Sequence, residues 1–121
     1  MLHLRGFDFG NHFNEYAGFD CDYTRYPASD AQRLFFRHYM AAQAGSTGSA
    51  VSEEVLTQLE AEANVFALAS HAYWGVWALI QARYSPIEFD YFEYSGMRWA
   101  EYRRRREEFL GAARRMFMRA Q

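Results

Sequence analysis

Hydrophobic positions recur at helical spacing through most of the chain, and this pattern predicts an all-helical segment. The first helix covers residues 7–17, the second 29–43 and the third 52–84. The fourth covers residues 86–106, and an amphipathic tail extends the helical pattern over 108–119. No segment alternates between apolar and polar residues with a period of two, so we expect no strand.

Capping signals set the expected helix starts. Ser29 and Gln32 have the spacing of a capping box, in which each side chain satisfies a free backbone N–H at the start of a helix. Ser52 precedes two glutamates, which suits the positive end of a helix dipole. Ser85 and Glu88 form a second capping box, with proline at the first helical position between them.

Two further stretches shape the predicted fold. Residues 45–49, with the sequence GSTGS, predict a flexible linker between the second and third helices. Beyond Asn64 the third helix is apolar nearly all round, which predicts that this half is buried. The charge-free run from Asn64 to Gln81 still contains polar side chains, so a core helix is a better interpretation than a transmembrane segment.

Composition and charge narrow the class of protein. With 121 residues, half of them hydrophobic, the chain forms one domain or part of one. All 13 basic residues are arginine, and eight of them lie in residues 98–121 beside three acids. A solvated terminal helix explains this basic end better than a nucleic-acid or membrane surface. The single cysteine and the lack of a signal-peptide pattern predict a cytosolic protein without disulfides.

Two short patterns suggest metal chemistry, but each is weak. Asp8 lies in an Asp-Phe-Gly triplet like that of protein kinases, yet no H-x-D triplet and no lysine occur in the chain. We expect Asp8 to cap the first helix or to bond a neighbouring loop. His12 and Glu15 share a helix face, but two ligands do not make a metal site. Glu15 is more interesting as a carboxylate that faces a cationic ligand.

Aromatic residues cluster around the predicted turn between the third and fourth helices. Trp74 and Trp77 are three residues apart, so they share one side of the third helix. Phe89 and Tyr94 follow the turn, which brings the next helix back towards them. The faces of such rings attract ammonium groups, and tryptophan does so most strongly. Spacing alone favours ordinary core packing, with a pocket for an organic cation as the alternative.

Several stretches resemble one known family. Residues 5–15, RGFDFGNHFNE, are similar to the RGFDIGNHFNE segment of choline and ethanolamine kinases. Residues 66–77, FALASHAYWGVW, resemble the family's FALASHFFWGLW, and residues 80–83 and 87–91 continue the likeness in register. Residues 14–18, followed by residues 22–23 and 26–27, look closer to the ethanolamine-kinase branch.

This resemblance implies part of the helical C-terminal lobe of a protein-kinase-like fold, without its N-terminal lobe. Family members use ATP and Mg²⁺ to phosphorylate the hydroxyl of ethanolamine or choline, the first step of a route to phospholipid. The residues that match the family's amino-alcohol pocket are Glu15, Trp74, Trp77, Phe89 and Tyr94. Asp8, Asn11 and His12 match structural positions near the active site.

The sequence also departs from the family pattern. The family's catalytic HNDL…N loop and metal-binding IDYEY motif precede the segment that residues 5–15 match, and neither occurs here. We therefore expect no catalytic or metal-binding residue in this chain, and no binding of ATP or Mg²⁺ by the chain alone.

Three interpretations remain open at this stage. The first is the substrate-binding part of an ethanolamine or choline kinase, active only with the missing N-terminal part. The second is a non-catalytic binding protein that keeps the aromatic cage. The third is a helical fragment without independent function, which would expose hydrophobic surface and aggregate.

Overall fold

The computed structural model describes residues 2–45 and 51–119, and it contains no strand in these ranges. This confirms the prediction of an all-α chain. The helices are α1 (Leu2–Glu15), α2 (Ser29–Ala44), α3 (Glu53–Tyr84) and α4 (Tyr91–Arg119), and a 3₁₀ turn (Tyr23–Arg25) lies between α1 and α2. Most of the predicted linker, residues 46–49, lies outside the described residues. None of the described helices is both long and apolar enough to cross a membrane.

Helix α3 is the central element, and the other three helices pack against it. Its apolar second half is buried on one face only, through Ala67, Leu68 and Ala78, whereas Val76, Leu79 and Ile80 are 45–51% exposed. The prediction that this whole half is buried is therefore wrong, because the other helices cover only one side of it. Ser52 caps it by accepting a hydrogen bond from the backbone N–H of Val55, 3.2 Å away.

Two apolar clusters form the core. The larger joins α1, α2 and the first half of α3 through Phe9, Phe13, Phe36, Leu56, Leu59 and Ala63. The smaller joins α3 to α4 through Ala67, Leu68 and Phe109. In the larger cluster, the Phe9 and Phe36 rings meet edge to face at 5.1 Å, an arrangement that aromatic pairs prefer.

A close backbone approach fixes α1 against α3. Gly10 is buried, and a Cβ added there would lie 2.5 Å from the carbonyl oxygen of Ala63 and against the backbone nitrogen of Ala67. Only glycine leaves room for this crossing. The crossing places the last turn of α1, including Glu15, beside the second half of α3.

Helix α2 is attached by one large ring and a set of ion pairs. Phe36 is fully buried in the core. At the surface, Arg33 contacts Glu53 at 2.9 Å and Glu60 at 3.2 Å, and Arg37 contacts Glu53 at 2.6 Å. Ion pairs at or near the surface contribute little each, so Phe36 and its neighbours carry most of the attachment.

The first helix begins earlier than predicted, and this changes the role of Asp8. Because α1 starts at Leu2, Asp8 lies in its interior and is exposed. The prediction that Asp8 caps this helix is therefore wrong, since the backbone N–H groups near it are already bonded within the helix.

The capping box predicted at Ser29 is also wrong. Ala28 is the N-cap residue of α2, and it makes no side-chain capping bond. Gln32 is instead turned inward and 2% exposed, and its Nε2 donates to the carbonyl oxygen of Pro27 and to Oδ1 of Asn64, each at 3.1 Å. A buried amide needs such partners, and this need outweighs the local cap.

Helix α4 differs from the prediction at its start. It begins at Tyr91 rather than at residue 86, because Asp90 accepts a hydrogen bond from the backbone N–H of Glu93, 2.9 Å away, as a capping residue does. Ser85 holds the preceding turn by accepting from the backbone N–H of Ile87 at 3.2 Å. The helix then continues without a break to Arg119, so the tail over 108–119 is helical, as its amphipathic pattern predicts.

His71 is a buried histidine of the core. It is 1% exposed, and its Nδ1 has no hydrogen-bond partner among the described residues. Burial, reinforced by the positive charges of Arg98 and Arg105, lowers its pKa to about 3. The edge of the Tyr23 ring covers it at 5.1 Å.

We expect His71 to make the fold sensitive to acid. The unfolded histidine takes up a proton below about pH 6.5, whereas the folded one stays neutral to about pH 3, so stability falls as the pH falls through this window. Between pH 7 and 4.5 the loss should be roughly 2–3 kcal/mol. Urea unfolding at several pH values should show a flatter profile for His71→Gln, whereas His38→Gln, at an exposed site, should follow the unmodified chain. Parallel profiles for all three proteins would contradict the assignment.

Candidate functional site

A cavity of about 510 Å³ opens where α1, α3 and α4 meet. Its walls come from four parts of the chain: Asn11, Asn14 and Glu15 of α1, Gly18 and Phe19 of the following turn, Trp74 and Trp77 of α3, and Tyr94 and Arg98 of α4. Four of the five pocket residues that the sequence singled out therefore line one space.

The aromatic walls are held by their mutual packing. The rings of Trp74 and Trp77 meet edge to face, with 5.2 Å between their centroids, and those of Trp77 and Tyr91 do so with 5.8 Å between theirs. Tyr94, on the α4 side of the cavity, is 5% exposed. The centroid of its ring lies 5.8 Å from that of Phe19. Burial raises the pKa of the Tyr94 phenol, and Arg98 partly offsets this, so the ring stays neutral at ordinary pH.

Phe89, the fifth predicted pocket residue, lies next to the cavity rather than in its wall. It belongs to the extended stretch between α3 and α4 and is 41% exposed. The centroid of its ring lies 5.9 Å from that of Phe19 and 6.0 Å from that of Tyr94, and both of these residues line the cavity. Phe89 therefore supports the aromatic side of the opening.

Asn11 connects the polar groups of the cavity. Its Oδ1 accepts hydrogen bonds from Nε1 of Trp74 at 2.7 Å and from Oγ of Ser70 at 2.9 Å. Its Nδ2 donates to Oε1 of Glu15 at 2.9 Å. One amide thus orients an indole and a carboxylate, so Asn11 is a positioning residue of the site.

The α1 wall offers acceptors for a donor ligand. Glu15 is exposed and lines the cavity, and it keeps lone pairs that Asn11 does not use. Asn14 is 1% exposed and donates from Nδ2 to the carbonyl oxygen of Ala67 at 3.0 Å. Its Oδ1 has no hydrogen-bond partner among the described residues. Both side chains can accept from an ammonium group.

Arg98 is the main residue that the sequence reasoning missed. It was counted only as part of the arginine-rich end, although it lies one helical turn after Tyr94 and so shares its face. The side chain is 4% exposed and lines the cavity. Phe19 and Asn14 were also missed, because neither follows the aromatic spacing that marked the other wall.

His12 and Asp8 do not line the cavity. The ring of His12 packs against Phe35 at 5.2 Å, and its Nε2 lies 3.1 Å from the hydroxyl of Tyr16. Within residues 2–45 and 51–119, no group of three or more histidine, cysteine, aspartate or glutamate side chains is placed to hold a metal ion.

The chain is a helical part of a protein-kinase-like fold. The family model for choline/ethanolamine kinases matches residues 2–103. Because the match covers most of the 121 residues, the chain belongs to the choline/ethanolamine kinase family. This confirms the family that the motifs at residues 5–15 and 66–77 predicted.

The relatives favour one branch of this family. A probable ethanolamine kinase of Arabidopsis thaliana is 47% identical over 102 residues, which are 84% of this chain and 26% of that protein. Ethanolamine kinase 2 of Mus musculus is 48% identical over 99 residues, 81% of this chain and 25% of that protein. The predicted ethanolamine-kinase branch is thereby supported.

A solved structure agrees with the fold. An ethanolamine kinase of Plasmodium vivax superposes with a TM-score of 0.69 at 37% identity, over 81% of this chain and 24% of that one. The chain thus spans about a quarter of the length of the relatives that it matches.

Proposed function

We propose that this chain supplies the amino-alcohol pocket of an ethanolamine kinase, an enzyme that uses ATP and Mg²⁺ to phosphorylate ethanolamine on its hydroxyl in the cytosol. The observation that carries the proposal is the meeting of Glu15, Trp74, Trp77 and Tyr94 in one cavity. A carboxylate beside aromatic faces is the environment that a small organic cation needs.

Different walls of the cavity make different contacts with the ligand. The faces of Trp74 and Trp77 attract the positive charge and exclude water from one side of it. Glu15, oriented by Asn11, accepts hydrogen bonds from the ammonium group. The hydroxyl of the ligand makes neither of these contacts, so it is left free to react with a phosphate donor.

The acceptors of α1 favour a primary ammonium over a quaternary one. A primary ammonium carries three N–H donors. Glu15 offers acceptors for them, and so does Oδ1 of Asn14, which has no partner among the described residues. A quaternary ammonium has no such donor and depends on ring faces alone. Ethanolamine is therefore the proposed substrate, and choline is the alternative within the same family.

The described residues do not fit ATP with Mg²⁺. The chain has no lysine to pair the phosphates, and the described part has no cluster of acidic side chains for a metal ion. Phosphoryl transfer depends on positioning and on cationic stabilisation of the phosphates. We therefore propose that the chain by itself binds the amino alcohol but transfers no phosphate to it.

Two measurements on the purified chain test this function. Isothermal titration with ethanolamine should show saturable binding at millimolar concentrations or below, and a phosphotransfer assay with ATP, Mg²⁺ and ethanolamine should show no turnover above the blank. Ethanol, which lacks the ammonium group, is the matched control ligand and should not bind.

The outcomes separate the two parts of the proposal. Absence of ethanolamine binding at millimolar concentration would count against the pocket. Turnover would show that the chain contains catalytic groups after all and would contradict its inactivity. Binding without turnover agrees with the proposal, but it agrees equally with a non-catalytic protein that keeps the cage. Adding an ATP-binding part of a related kinase distinguishes these two interpretations, because only a kinase part should then recover turnover.

A further inference from the structure

Arg98 is a nearly buried charge in the wall of the cavity. Its Nη2 donates to Oγ of Ser70 at 2.9 Å, and its Nη1 lies 3.4 Å from the hydroxyl of Tyr94. Its Nε is buried without a hydrogen-bond partner among the described residues. Two neutral hydroxyls are thus the partners of a guanidinium that has five N–H donors.

This charge has no counter-ion in the described part of the chain. The ion pairs there involve other arginines. Glu101, three residues after Arg98 on α4, pairs with Arg104 at 2.6 Å. A guanidinium that is 4% exposed loses most of its hydration, and this cost is recovered only when an anion pairs with it. Arg98 lines the cavity, so a ligand in the cavity can supply that anion.

The cavity therefore carries charges of both signs. Glu15 on α1 attracts an ammonium group, whereas Arg98 on α4 repels one. A simple amino alcohol satisfies Glu15 and leaves Arg98 unpaired. A ligand that carries an ammonium group and an oxyanion satisfies both, and a volume of about 510 Å³ accommodates it easily.

One hydrogen-bond network fixes the distance between the two charged groups. Ser70 accepts from Arg98 and donates to Asn11, and Asn11 in turn donates to Glu15. Neither charged side chain can move without breaking a bond of this network. The cavity is thus organised for a ligand whose positive and negative ends have a set separation.

We propose that Arg98 binds the phosphate of a phosphorylated amino alcohol, so that the cavity holds the product of the reaction more tightly than its substrate. This inference rests on the proposed function. A guanidinium binds a phosphate through paired hydrogen bonds, and a phosphate monoester carries close to two negative charges at neutral pH. Release of the product would then require breaking the contact with Arg98.

The test compares ligands by isothermal titration on the purified chain at neutral pH. Phosphoethanolamine should bind at least about tenfold more tightly than ethanolamine, which corresponds to about 1.4 kcal/mol. Inorganic phosphate lacks the ammonium group and β-alanine replaces the phosphate with a carboxylate, so these two probes separate the contributions of the two ends. Both should bind more weakly than phosphoethanolamine.

Substitutions assign the effect to the residue. Arg98→Gln should remove the preference for phosphoethanolamine and leave ethanolamine binding equal or stronger, because the repulsion is also removed. Arg98→Lys keeps the charge but loses the paired geometry, so it should keep only part of the preference. Arg103→Gln, at an exposed position of the same helix, is the matched control and should behave like the unmodified chain.

Each failure has its own meaning. If ethanolamine binds and phosphoethanolamine binds no more tightly, the role of Arg98 is wrong and the proposed function stands. If neither binds, both proposals fail. Equal affinity for inorganic phosphate and phosphoethanolamine would indicate a plain anion site and overturn the two-charge ligand. If Arg98→Gln does not fold, the comparison of ligands on the unmodified chain and on Arg98→Lys still decides.

Discussion

Replacing Gly10 with alanine is expected to destabilise the fold by about 3 kcal/mol, although alanine is the better helix former. The added methyl group would lie 2.5 Å from the carbonyl oxygen of Ala63 and 2.7 Å from the carbonyl carbon of Phe66. These are backbone atoms of α3, which cannot turn aside as a side chain can. The two helices must therefore move apart, and the Phe9 and Phe13 contacts beside the crossing loosen with them.

Gly96 provides a matched control for this substitution. It is a helical glycine in α4, and a Cβ added there meets nothing within 4 Å. Gly96→Ala should stabilise the chain by about 0.5–1 kcal/mol, because alanine loses less backbone entropy on folding. Urea unfolding followed by far-ultraviolet circular dichroism measures both. Equal effects of the two substitutions would show that α1 and α3 do not meet as closely as described.

Glu15→Gln and Trp74→Leu are expected to alter ligand preference in opposite directions. Glu15→Gln should weaken ethanolamine binding about tenfold or more, because it removes a charge-assisted hydrogen bond. Choline donates no hydrogen bond and should lose only about fivefold, from the weaker charge attraction. Trp74→Leu should weaken choline about thirtyfold, since a desolvated cation–ring contact contributes about 2 kcal/mol, and ethanolamine less.

The ratio of the two affinities is the measured quantity in this experiment. Partial loss of folded protein lowers the active concentration for both ligands alike, so the ratio reports the pocket alone. Glu107→Gln, which removes an exposed charge from α4 away from the cavity, should leave the ratio unchanged. A ratio that shifts in the same direction for both pocket substitutions would contradict the division of roles between Glu15 and Trp74.

Much of the fold follows from local signals. The hydrophobic period predicts the long central helix, and Ser52 caps it where the sequence indicates. The burial of the apolar second half of α3 follows only in part, because one face packs in the core and the other stays exposed. The family motifs then predict which aromatic residues meet, and the structure brings Trp74, Trp77 and Tyr94 to one cavity.

Other features depend on contacts that a local pattern does not contain. The capping box at Ser29 is displaced because Gln32 finds buried partners, one of them Asn64 on another helix. The start of α4 is set by competition between two capping residues, and Asp90 prevails over Ser85. Arg98 carries no signal of its own within an arginine-rich stretch, and its importance appears only when its burial is known.

The cavity is assembled from α1, its following turn, α3 and α4, so no single helix contains it. The unfolded chain therefore has no binding site to offer, and every ligand that the cavity holds shifts the folding equilibrium towards the native state. At a ligand concentration a hundred times the dissociation constant this linkage amounts to about 2.7 kcal/mol. The melting temperature of the chain should therefore rise with each molecule that the cavity binds, whether or not any chemical turnover takes place.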